Sequence, residues 1–174
     1  ISQLTIHFGH SSQDGSEHTV DGTGFTAEIQ MLAYNSDLYS NFTAAMTLPR
    51  GLVCVSILIK VSNETHPHFE RIHRAMNETI YKGDRKHVAY LNLRRLLPDT
   101  DHYVTYEGSL THPACHETVT WIIYNKPIFI SHSQLAGLRR LKQDTIYNPV
   151  LLMAGNIRPL QALNQRTVRT NINF

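Results

Sequence analysis

Residues 25–34 alternate strictly: Phe25, Ala27, Ile29, Met31 and Ala33 fall on one face, while Glu28, Gln30 and Leu32 fall on the other. A period of two fixes a strand. A strand with a carboxylate and an amide at its middle is constrained further: that face is either half solvated or lines a pocket in which each polar group finds a partner. Residues 4–8 alternate in the same way, with Thr5 and His7 on one face and Ile6 and Phe8 on the other. The two runs read as antiparallel neighbours that aim polar side chains at one spot.

Residues 34–50 read as a connection, with turn signals at Asn35-Ser36-Asp37 and Leu48-Pro49-Arg50-Gly51. Residues 52–61 form a near-continuous apolar run, the pattern of a strand buried on both faces. Phe69, Ile72 and Met76 recur at helical spacing within residues 67–76. A short amphipathic segment follows at 92–98, then strands at 103–106, 117–124 and 127–130. Ser133 reads as the N-cap of a helix through Leu141 with Leu135, Leu138 and Leu141 inward. The last segment returns as a strand.

Length and apolar content, 174 residues and 41% hydrophobic, suit one domain. The net charge of +2 comes without basic residues interleaved with aromatics, and Arg94-Arg95 and Arg139-Arg140-Leu141-Lys142 read as solvated faces. No apolar run reaches the roughly 18 residues of a membrane span. His66, His68 and His73 lack the spacing of a metal site. Cys54 sits inside an apolar strand, and Cys115 and its neighbour His116 point apart on an extended chain, so no Cys–His dyad is read. Asn41-Phe42-Thr43, Asn63-Glu64-Thr65 and Asn77-Glu78-Thr79 are glycosylation acceptor patterns, which lean toward a secreted or cell-surface glycoprotein.

The runs His7-Phe8-Gly9, Gly15-Ser16-Glu17-His18-Thr19-Val20-Asp21 and Ala27-Glu28-Ile29-Gln30 resemble the α-class carbonic anhydrases. The stretches at 51–60, 108–113 and 156–161 fit the same family in the same order, so the resemblance covers nearly the whole chain. It implies a mainly β fold: a large, twisted, mostly antiparallel sheet with some parallel pairs and short surface helices. The family's three zinc histidines would fall on Thr5, His7 and Gln30, two of which are not histidine. By the same resemblance Glu28 matches the carboxylate that orients a zinc ligand. Thr111 matches the hydroxyl that aligns the zinc-bound hydroxide, and Glu17 the carboxylate behind it. Leu32, Cys54, Leu110, Val119 and Trp121 match the apolar wall for carbon dioxide, and residues 156–166 the stretch beneath the site.

This pattern is similar to the secreted carbonic anhydrase-related proteins, which implies a scaffold without zinc and without hydratase activity. It also implies a protein partner, a neurexin-type synaptic adhesion receptor, with no nucleic acid and no membrane span in the chain. The rival expectation is an active zinc enzyme with His10 as a replacement ligand. Residues 1–174 read as one partial domain lacking an N-terminal portion, because the chain opens on what the family makes a central strand. An unpaired neighbour there would leave a strand edge exposed. Cys115 matches a loop position that in extracellular members bonds an N-terminal cysteine.

Overall fold

A computed structural model describes residues 1–173. These residues build one seven-stranded mixed sheet, with few and short helices. In chain order the elements are β1 (Gln3–Phe8), β2 (Ala27–Tyr34), α1 (Phe42–Met46), β3 (Leu52–Ser62), α2 (Glu70–Asn77), a 3-10 turn (Leu93–Leu96), β4 (Tyr103–Gly108), β5 (Val119–Tyr124), β6 (Ile128–Ser131), α3 (His132–Arg139) and β7 (Arg169–Thr170). The strands lie in the order β1-β2-β3-β5-β4-β7, and β6 pairs with the C-terminal part of β3. β3 runs parallel to β5 and β6, and the other pairings are antiparallel. The mostly antiparallel architecture expected from the sequence is present. Among the described residues β1 is an outer strand.

The alternation of β2 and β3 sends successive side chains to two different cores. Ala27, Ile29 and Met31 join Ile57 and Ile59 on one face, covered by Phe69 and Met76 from α2 and its cap and by Leu135 and Leu138 from α3. Leu32, Leu52 and Cys54 join Val119 and Trp121 on the other, closed at one end by Ala45 of α1. Both faces of β2 are therefore buried, and the half-solvated option for Glu28 and Gln30 does not hold: these residues are 0% and 5% exposed.

Four local expectations are corrected. Residues 34–50 are not purely a connection, since Asn41 caps the five-residue α1 by accepting the Ala44 N–H at 2.9 Å. α3 is capped by Ser131 rather than Ser133, and Gln134 completes the capping box from the third position. Phe25 and Thr26 precede β2 instead of belonging to it. The C-terminal return as a strand is confined to Arg169–Thr170, and residues 156–166 run as turns and extended loop.

Candidate functional site

The β1–β2–β3 register assembles the site. Thr5 lies directly opposite Gln30 and His7 opposite Glu28, while Gln30 faces Ser56 and Leu32 faces Cys54. Directly opposed residues share a face, so the polar pairs form a patch bordering the Trp121 core. Gly108 allows the wall to close, since a Cβ there would come within 2.7 Å of the Tyr106 ring and 2.9 Å of the Trp121 indole. The indole N–H donates to the Ser109 carbonyl at 3.1 Å.

Glu28 is the hub. Its Oε2 accepts the His18 backbone N–H at 2.9 Å, and its Oε1 accepts from His18 Nδ1 at 2.8 Å, Ser56 Oγ at 2.8 Å and Gln30 Nε2 at 3.1 Å. Burial pushes this carboxyl up, but the charge and hydrogen bonds of His18, with the Ser56 hydroxyl, outweigh burial and hold it down to about 2. A carboxylate can only accept, so His18 Nδ1 donates, and its Nε2 hydrogen-bonds with the Tyr106 hydroxyl at 2.8 Å. Gln30 continues the chain in the other direction, its Oε1 accepting from Thr111 Oγ1 at 3.2 Å. A continuous run of hydrogen bonds thus connects Tyr106, His18, Glu28, Gln30 and Thr111.

Glu17 occupies a different place from the one its motif implies. Its Oε1 lies 3.0 Å from His7 Nδ1 and accepts the Arg158 backbone N–H at 3.1 Å. Among the described residues no hydrogen bond joins it to Thr111. His7 Nδ1 also donates to the Asn156 carbonyl at 2.7 Å. Burial lowers the affinity of His7 for a proton, yet the Glu17 hydrogen bond, the Asn156 carbonyl and the charges of Glu17 and Glu28 raise it overall. With Nδ1 engaged on both acceptors, His7 Nε2 is buried and has no partner.

That orphaned nitrogen is the test of whether a zinc ion fits. Thr5, His7 and Gln30 offer one imidazole nitrogen, one hydroxyl and one amide whose two ends are already committed to Glu28 and Thr111. A catalytic zinc needs three nitrogen, sulfur or carboxylate donors and an open position. The donor set does not fit the ion, and among the described residues no group of three His, Cys, Asp or Glu side chains could hold one. His10 is exposed in the turn after β1, beside Gly155, and does not line the site.

Four of the five expected wall residues, Leu32, Cys54, Leu110 and Trp121, line the remaining cavity beside Thr5 and Gln30, while Val119 packs in the same apolar core without lining it. The space there for the centre of a water molecule is about 10 Å³, room for one water at most. Cys54 is no nucleophile, because burial and the Glu28 charge raise its thiol far above neutrality. Cys54 and Cys115 are both free.

His18, Ser56, Tyr106, Asn156 and Arg158 are absent from the sequence reading of the site. His18 and Glu17 sit in the motif that carried the family resemblance, so proximity within that run was the available signal. Asn156 and Arg158 sit in the stretch that the resemblance places beneath the site, but nothing local pairs Asn156 with His7, 149 residues away.

The model of the eukaryotic-type carbonic anhydrase family matches residues 1–172. Carbonic anhydrase-like protein 2 of Caenorhabditis elegans is 47% identical over 176 residues, covering 99% of this chain and 52% of that protein. Carbonic anhydrase-like protein 1 of the same organism is 41% identical over 172 residues, covering 99% and 47% respectively. The chain spans about half the length of the curated relatives it matches.

Proposed function

The chain belongs to the eukaryotic-type carbonic anhydrase family, and from that premise we propose that it is a catalytically silent member, an extracellular glycoprotein that works by binding other proteins. The observation that carries this reading is the donor set at Thr5, His7 and Gln30. Zinc hydroxide is the nucleophile that hydration of carbon dioxide requires, and without the cation no group in the site brings water near neutrality to its conjugate base. The network around Glu28 supports the same reading, because both ends of the Gln30 amide are committed to Glu28 and Thr111. In a carbon dioxide hydration assay with added zinc, the protein is expected to stay at the uncatalysed rate; turnover above it would contradict the proposal.

All three acceptor asparagines are exposed, as modification requires. Asn63 lies just past β3 in a polar bend, whereas Asn41 caps α1 and Asn77 is the last residue of α2. Capping uses Asn41 Oδ1, which leaves the nitrogen that carries a glycan outside the helix contact. Glycosidase treatment of protein secreted from eukaryotic cells is expected to lower its mass in up to three steps. No change in mass would count against the extracellular assignment. For the partner, the resemblance to the secreted carbonic anhydrase-related proteins points to a neurexin-type receptor, to be tested by direct binding of a purified receptor ectodomain.

A further inference from the structure

Positive charge is concentrated in one part of this chain. Residues 66–97 hold seven Lys or Arg against three Asp or Glu, a net of +4 with His neutral, in a chain whose total is +2; the remainder is therefore net −2. The fold gathers part of this charge around two consecutive grooves. One, of about 290 Å³, lies between α2 and the following loop and is walled by Arg71, Arg74, Lys86 and His87, with one carboxylate, Glu78. The other, of about 240 Å³, is walled by His68, Arg71, Tyr90 and Arg95. Arg71 belongs to both. Its Nη1 donates to the Ala89 carbonyl at 3.0 Å, which fixes the guanidinium between the grooves and leaves its other N–H groups for a ligand.

Arg74 and Lys86 already pair with Glu70 and Glu78. The uncompensated charge is carried by Arg71 and by Arg95, which has no carboxylate partner among the described residues. Tyr90 stands beside them with 91% of its surface exposed and a left-handed backbone at φ 55°, so no packing accounts for its ring. An oxyanion suits the guanidinium groups, and the flat face of a sugar suits the ring.

We propose that this face, formed by α2 and the loop through Arg95, binds a sulfated polysaccharide chain across both grooves, with sulfates on Arg71 and Arg95 and a sugar ring on Tyr90. A single-stranded nucleic acid is the poorer match, because sequence-tolerant binding uses several large aromatic platforms along the strand, and Tyr90 is the one Phe, Tyr or Trp among these groove walls. Preference for a glycan rests on the extracellular reading above.

The test is binding of the purified full chain to an immobilised heparin decasaccharide between about 50 and 200 mM salt, with selectively desulfated heparin and single-stranded DNA alongside. Binding is expected to weaken steeply as salt rises. The double variant Arg71→Gln with Arg95→Gln is expected to bind about tenfold more weakly at physiological salt. Its log–log salt slope should be shallower by about two, one for each lost contact. Tyr90→Ala should weaken binding without changing the slope, and Arg169→Gln on β7 should change nothing. Absence of binding, equal binding of desulfated heparin or DNA, or a double variant indistinguishable from the parent would overturn the proposal. These side chains are exposed, so unchanged melting temperatures verify that the variants fold. Because purified protein is used, failure here is separate from failure of the glycosidase test.

Discussion

Replacing Glu28 with alanine is expected to cost about 3–5 kcal/mol of folding stability, the range for removing one partner from a buried ion-paired network. The residue is fully buried and accepts four hydrogen bonds, so the change strands the His18 N–H groups, the Ser56 hydroxyl and the Gln30 amide at once. Thermal unfolding should show a fall in midpoint on the order of 10 °C. The same carboxylate sets a pH dependence. Its folded pKa of about 2 lies below its ordinary 4.5, so its contribution is complete above about pH 4.5 and is lost as pH falls toward 2. The loss is about 3 kcal/mol over that window. In Glu28→Gln this part of the acid destabilisation should disappear, and an unchanged acid profile would show that Glu28 is not its source.

The second large effect is a gain. Thr5→His combined with Gln30→His is expected to take bound zinc from background to about one ion per chain. Thr5 and Gln30 are directly opposed across the β1–β2 ladder, and His7 lies two residues from Thr5 on the same face. Cross-strand neighbours of this kind hold their Cβ atoms about 4.5–5.5 Å apart. Three imidazoles would then share one face of the ladder, and the Nε2 of His7 carries no competing hydrogen bond. Either single replacement supplies only two nitrogens and should gain little, so the response should be strongly non-additive. Saturating zinc at about a thousand times its Kd should also stabilise the double variant by about 4 kcal/mol. If the double variant binds no more zinc than the parent, the donor positions are not those that separate this chain from a zinc-binding one.

The sheet was legible because its signal is local. β2 alternates over its whole length, β3 is apolar nearly throughout, and the motifs from His7 to Gln30 fix which strands are neighbours. Site features that depend on distant partners were not. Nothing near His7 in sequence reveals that Asn156 and Glu17 hold its Nδ1, and the Glu17 assignment from motif alone pointed to Thr111 instead. Ser131 and Ser133 both suit an N-cap, and the choice between them is made by the end of β6 and by Gln134, which also bonds His66 across the fold. α1 is too short for a periodic pattern. The basic grooves also escaped notice, because Arg71, Lys86 and Arg95 are dispersed in sequence and come together only when the loop packs on α2.

The most direct test of the central claim is zinc content by elemental analysis of the full-length protein, purified without chelators and assayed for carbon dioxide hydration on the same sample. Zinc well below one ion per chain with hydration at background is the expected result. One tightly held zinc per chain with hydration above background would contradict it and return the molecule to the enzymes of its family.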